Sequence, residues 1–394
     1  MSANPIAYQT GWIARSAPHR LGGSTVQDII RSWTLAGGIV GLFGTLLFGV
    51  AAAKVLLVAM VSAVLTDFVV GYARGRGVVG GLSHAALTGL LLGLTLPATV
   101  AWYVPTVGAA VAVVFGKVVF GGFGHYFWQP ALVGRVVVQL VFLPSLSLGS
   151  VESVRPVLAP GHLLVGRLDS NQEVSMAGYR GWQDMPATAG NDALLMPTPL
   201  QSLRAFAEGK VKPDGDLVYT PLVRDMLPPW EDTIFGTIPG GIGETCVLAL
   251  LVAGLYLIYR GFIRWQLPAT MFAAAFLAAG LLPVEYGGAE GGYDWFPIFA
   301  VENGRAVGLA YVMYHLTSGG LMLGAFLLAG DMVTTPMRAS GQIIFAAGVG
   351  TLTIFMRLYG VAECASYWSI LILNTLVMPI DRQMKRTVLG VEEL

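Results

Sequence analysis

A helix needs about 20 apolar residues to cross the hydrocarbon of a bilayer, and ten stretches of this chain are of that kind. They fall at roughly 33–52, 55–73, 82–98, 103–120 and 130–145, and again at 243–260, 267–284, 306–329, 341–358 and 363–380. Hydrocarbon offers no partner to a peptide N–H or C=O, so a segment inside it closes its own hydrogen bonds as a helix or joins a sealed barrel. Runs of this length select the helix. The expected fold class is an all-α integral membrane protein of about ten transmembrane helices. Composition agrees: 55% of residues are hydrophobic and 12% charged, where a soluble domain carries about a quarter charged. Lys plus Arg and Asp plus Glu balance at 23 each, so no basic surface for nucleic acid is expected.

Between the two sets of five stretches lies a polar, proline-rich segment. The chain divides into an N-terminal segment 1–32, a first five-helix repeat 33–146, a loop 147–238, a second five-helix repeat 239–380 and a tail 381–394. Residues 1–30 are polar and lack an apolar core followed by a small-residue cleavage site, so no cleaved signal peptide is expected there. Short cytoplasmic loops collect Lys and Arg. With the N-terminus inside, thirteen such residues fall in inner segments: Arg15, Arg20, Arg31, Arg74, Arg76, Lys117, Arg135, Arg260, Arg264, Arg338, Arg382, Lys385 and Arg386. Only Lys54, Arg305 and Arg357 fall in the short outer loops. Both termini are then cytoplasmic, and the 147–238 loop and the acidic "PVEYGGAEGGYDW" loop lie outside.

The halves echo one another. Gly121-Gly122-Phe123-Gly124 and Gly240-Gly241-Ile242-Gly243 each precede a predicted helix, and "TGLLLGLTLP" resembles "SGGLMLGAFLLAGD". Five spans per half make the repeats inverted. Inverted repeats with helices interrupted by glycine or proline place a ligand site between the halves; the alternative is that the glycines let helices pack closely. Cys246 and Cys364 lie alone in apolar runs, without metal-ligand or disulfide spacing.

Ionisable residues inside spans are costly, and so are functional candidates. Glu244 follows the second glycine turn, where it either complements a helix dipole or lines an ion pathway. Asp67 and Lys117 read as structural, and His315 as a satisfied interior histidine.

Five motifs, "TGLLLGLTLP", "FGKVVFGGFG…QPALVGR", "GGIGETCVLALLVAGLYLIYR", "HLTSGGLMLGAFLLAGDMVTTP" and "LILNTLVMPID", together resemble the D subunit of Rnf-type electron-transport complexes. They are equally similar to the related B subunit of the sodium-pumping NADH:quinone reductase. The resemblance runs from about Trp33 to Asp381. It implies a covalent FMN on a threonine of a D-x-x-S-G-A-T-P-L box, which aligns with Asp192 through Leu200 and makes Thr198 the acceptor, with Asp192 and Pro199 in the box. Here Leu195-Met196-Pro197 replaces Ser-Gly-Ala, a stiffer strand, since Pro197 biases Met196 toward extended conformations.

The resemblance also implies a non-covalent riboflavin or second flavin near Gly121, Gly122 and Gly124, with asparagines where this chain has Tyr126 and Gln129. Gln129 is a longer substitute for an amide, whereas Tyr126 offers only a hydroxyl. Tyr126, Phe127 and Trp128 would either stack on a flavin or quinone or form an interfacial belt. Asp331 and Thr334, in "GDMVTTP", match a D-P-V-T-S-P turn whose aspartate is expected beside the buried flavin.

The function implied is a flavin-carrying subunit of an ion-translocating NADH or ferredoxin oxidoreductase complex. It would lie in the bacterial cytoplasmic (inner) membrane with other integral and peripheral subunits, and with quinone as a further ligand. NADH and ferredoxin chemistry would belong to those partners, because this chain has no iron–sulfur ligand pattern and no dinucleotide fingerprint. The rival readings are a channel-like solute transporter and a flavin-free scaffold subunit.

Overall fold

The computed structural model describes residues 25–75, 82–142, 200, 203, 230–236, 238, 240–286, 293–295, 297–298, 305–360 and 364–383. Helix α1, Val26–Phe48, opens with a capping box. Thr25 Oγ1 accepts the Asp28 N–H at 3.2 Å, and the Asp28 carboxylate accepts the Thr25 N–H at 2.9 Å. That reciprocal pair satisfies two donors the first turn would otherwise leave open, and it starts the helix upstream of the stretch predicted from apolarity. Gly49, at φ 71°, ends α1 and leads directly into α2, Val50–Ala73.

Helix α3, Leu82–Leu94, stops four residues short of the predicted end. Then come α4, Tyr103–Val113, extended by a π-helical turn at Val114–Val118, and α5, Pro130–Val141. A short helix α6, Trp230–Phe235, precedes α7, Val247–Tyr259, and α8, Gln266–Leu281. Strands β1, Val284–Tyr286, and β2, Tyr293–Trp295, pair antiparallel with Glu285 opposite Asp294. This ribbon amends the all-α expectation. Helix α9, Arg305–Thr317, bends by 56° into α10, Leu321–Leu323, which runs into a second π-helical turn at Gly324–Leu328. Helices α11, Ala339–Tyr359, and α12, Ala365–Gln383, complete the described chain.

Each of the ten predicted apolar stretches therefore holds a helix. Among the described residues, α1, α2 and α11 are individually long and apolar enough to cross a membrane, and the bent α9–α10 pair passes the same test jointly. Helices α3, α4, α5, α7 and α8 are shorter apolar segments. Leu57, Val61, Leu65, Val69 and Tyr72 of α2 stay exposed. No hydrophobic gain accompanies helix association in lipid, so small residues set the contacts. A Cβ on Gly89 would meet the Met60 backbone at 2.7 Å, and one on Gly134 would meet Ala112 at 2.9 Å.

Three of the cations counted as loop charges are interior. Lys117, Arg135 and Arg357 are all buried, which leaves eleven inner against two outer in the charge comparison and keeps its direction. Lys117 pairs with Asp67 at 2.9 Å, the structural role expected of both.

Candidate functional site

Polar groups gather in two places, and in each a turn of one half meets an element of the other. The first is where helices break. The last carbonyls of α3 have no helical partner once the chain turns extended at Thr95. The second half supplies donors: Gly243 N–H reaches Leu94 O at 2.8 Å, Ile242 N–H reaches Leu96 O at 2.9 Å, and Pro97 bridges Gly241. Arg135 Nε, from α5, donates to Thr95 O at 3.0 Å, and its Nη1 donates to Gln139 at 2.8 Å. Glycine is needed at 243 for close approach, because a Cβ would meet that of Leu94 at 2.8 Å.

Glu244 completes this turn. Its carboxylate accepts the Gly241 N–H at 3.4 Å and the Tyr367 hydroxyl. Helix α7 is capped by Cys246 Sγ, which accepts from Ala249 N–H at 3.4 Å. The Tyr367 ring lies beneath the Arg135 guanidinium, 5.7 Å from its centroid.

The second break separates α9 from α10. Arg357, from α11, donates to His315 O and, at 3.0 Å, to Ser318 O. Among the described residues, both ring nitrogens of His315, Ser318 Oγ and Arg357 Nε are buried without a partner. His315 is thus interior, as expected, but not satisfied. Leu200, the last residue of the threonine box, is buried, and its side chain occupies the space against Gly319 in this break.

The other gathering lies at the opposite end of α3, where the first glycine turn meets the "GDMVTTP" turn. Gly121, Gly122 and Gly124 have φ of 114°, 108° and 89°, a region closed to most side chains, and they reverse the chain after the first π-helical turn. The sequence echo is corrected here. Gly121–Gly124 closes a helix, six residues before α5 begins, whereas Gly240, Gly241 and Gly243 adopt no positive φ.

Beyond this turn Tyr126 points inward. Its hydroxyl lies 3.2 Å from His84 Nε2 and 3.5 Å from Asp331 Oδ1, and Thr334 Oγ1 donates to Asp331 Oδ2 at 3.4 Å. Phe127 and Trp128 point outward and are exposed, and Trp128 Nε1 donates to Thr375 at 3.0 Å. Gln129 is buried, and its side-chain oxygen caps α5 by accepting the Leu132 N–H at 3.0 Å.

The predicted residues Tyr126, Asp331 and Thr334 are therefore brought together, next to His84, which the sequence reading missed. Glu244 lies apart from them. At the positions expected to face a non-covalent flavin, the Tyr126 hydroxyl and the Gln129 side-chain oxygen are bonded to other groups of the protein. Asp192, Thr198 and Pro199 lie outside the described residues. Arg135, Arg357 and Tyr367 were also missed; the signal was an arginine inside an apolar helix facing a helix break.

A bundle of apolar helices whose broken backbone is met by donors inside the bundle defines a polytopic membrane protein with polar turns in its interior. The chain belongs to the NQR2, RnfD, RnfE family, whose model matches residues 13–390. It is 31% identical over 367 residues to the D subunit of the proton-translocating ferredoxin:NAD(+) oxidoreductase complex of Clostridium ljungdahlii, covering 93% of this chain and 92% of that one. To the D subunit of the ion-translocating oxidoreductase complex of Halorhodospira halophila it is 28% identical over 381 residues, covering 95% and 94%. The D subunit of the Na(+)-translocating ferredoxin:NAD(+) oxidoreductase complex of Acetobacterium woodii is 29% identical over 371 residues, with 94% and 92% covered.

Proposed function

We propose that this chain is the flavin-carrying membrane subunit of a multisubunit, ion-translocating electron-transport complex of the Rnf/Nqr type. Its ten helices form two inverted repeats in the bacterial cytoplasmic membrane, with both termini inside and the 147–238 segment outside. The partners are the other integral and peripheral subunits, which hold the NADH or ferredoxin chemistry, and quinone is a further ligand. The relatives' names describe subunits of such complexes.

The observation that carries the flavin reading is the seat of Leu200. It fixes the end of the threonine box against the second helix break, and two residues of chain reach no farther than about 7 Å. A flavin on Thr198 would lie beside Arg357, Ser318 and His315, whose unpartnered polar atoms suit a charged, hydrogen-bonding group. FMN would supply one- and two-electron transfer, and the protein would hold and orient it. Glu244 is proposed to face the ion path, and Asp331 with Thr334 to line the opposite end of the bundle.

Intact-mass measurement of the purified chain tests this. The mass should exceed that of the sequence by one FMN residue, and Thr198→Ala should abolish the increment, since no other hydroxyl lies between Asp192 and Leu200. An unmodified mass in cells that contain an active flavin transferase would leave the scaffold reading. The meeting of a broken helix with a glycine turn at Pro97 and Gly241 is the feature that favours a channel-like transporter. Solute flux through the isolated protein without electron transfer would select it.

A further inference from the structure

The contact between His84, Tyr126 and Asp331 joins three titratable groups from the two halves of the chain, and its two ends differ. Asp331 is half-buried, at a turn whose Met332 is exposed, while Tyr126 and His84 are buried. His84 Nε2 meets the Tyr126 oxygen, and His84 Nδ1 has no partner among the described residues. Buried polar atoms are normally paired, so one left open calls for an explanation. The His84 ring stacks edge-on against Phe123, with centroids 4.7 Å apart, which fixes its plane. Lys117, at the end of the π-helical turn that precedes Gly121, is already bonded to Asp67.

We infer that His84 is a proton-loading site filled from Asp331 through the Tyr126 hydroxyl. The step balances without a redox partner. A proton on the Asp331 carboxyl passes to the Tyr126 oxygen as the Tyr126 proton passes to His84 Nε2. The products are the Asp331 carboxylate, an unchanged tyrosine hydroxyl and a His84 imidazolium. The carboxylate keeps the Thr334 hydroxyl as a donor.

The inference rests on the ion-translocating reading of the complex, and the test separates the two. The complete complex, reconstituted in vesicles with a pH-sensitive dye, is driven by its electron donor. Proton movement and radioactive sodium uptake are followed in parallel. Tyr126→Phe keeps the ring and removes only the bridging oxygen, and His84→Gln keeps a hydrogen-bonding group without a titrating one. Both should assemble and lower proton movement by about a hundredfold, the lower range for loss of a positioned proton donor. In infrared difference spectra of the working complex the wild type should lose the Asp331 carboxyl band as an imidazolium band appears, and Tyr126→Phe should show neither change, a result that a merely structural tyrosine would not give.

Wild-type proton movement in either assembled variant overturns the relay, as does failure of both to assemble, which would make the contact structural. Sodium movement without proton movement in the wild type overturns the relay and leaves the functional reading standing. Movement of neither ion in the wild type sinks that reading, and the relay with it.

Discussion

The two helix breaks solve the same problem with different completeness. At the first, after Leu94, two backbone amides and the Arg135 guanidinium meet three consecutive carbonyls, Leu94, Thr95 and Leu96. At the second, after Thr317, Arg357 alone bridges His315 O and Ser318 O, and four polar atoms around it stay open among the described residues. A buried group without a partner costs about 1–3 kcal/mol. The first break therefore meets its carbonyls with three donors and leaves Thr245 Oγ1 open beside them, while the second tolerates a larger standing cost. Real proteins place such violations of local rules at functional sites, and this one lies beside the end of the threonine box.

Removing the arginines should expose that difference. Arg357→Ala orphans two carbonyls that have no other donor among the described residues, so a loss of about 2–6 kcal/mol is expected, at about 1–3 for each acceptor. Thermal unfolding of the detergent-purified chain should show the larger shift for this variant. Arg135→Ala orphans Thr95 O, while Gln139 Oε1, which also loses the arginine, keeps the Cys364 thiol at 3.1 Å, and Gly243 and Ile242 continue to hold the neighbouring carbonyls, so about 1–3 kcal/mol should be lost. Equal shifts for the two would mean that the breaks are equivalent and that the backbone donors at the first contribute nothing.

Gly243→Ala attacks the first break from the backbone side. Its Cβ would meet Leu94 Cβ at 2.8 Å and Leu94 O at 3.1 Å, forcing apart the strand that donates to α3. Overpacking of this kind costs about 1–3 kcal/mol. Gly124→Ala has no such neighbour within 4 Å, but its φ of 89° disfavours any Cβ. It should therefore cost about 1 kcal/mol through strain alone. A clash larger at Gly124 than at Gly243 would reverse the assignment of the two glycine turns.

This contrast also marks how far the sequence could be read. Apolar runs located every helix but the short α6, which lies in the stretch read as loop, because length and hydropathy are local. The breaks inside those runs were harder to see: "TLP" and "SGG" look like ordinary helix ends until a carbonyl has to find its donor, in the other half for the first and on α11 for the second. Gly121–Gly124 and Gly240–Gly243 share letters, but one uses positive φ and the other the missing Cβ, a distinction only coordinates draw. Arg135 and Arg357 were counted as loop charges because a positional tally cannot tell a solvated arginine from one that caps carbonyls. Tyr126 and Asp331 were both candidates for one site, yet their direct contact, and His84 behind it, depend on how the two halves dock.

The smallest expected effect is the sharpest probe of the second break. His315 donates to nothing and accepts nothing through its ring among the described residues; only its backbone carbonyl is used, by Arg357. Its ring packs edge-on against Tyr311, with centroids 4.7 Å apart, a contact that an apolar side chain of similar size preserves in part. His315→Leu therefore removes two unmet polar atoms and leaves the arginine bridge intact. Stability should stay within about 0.5 kcal/mol of wild type or rise, since apolar replacement of unpaired buried groups is nearly neutral or stabilising. A loss above about 1 kcal/mol in the same unfolding assay would show that water or a bound group satisfies the ring. The second break would then be as fully satisfied as the first, and the asymmetry between them would be gone.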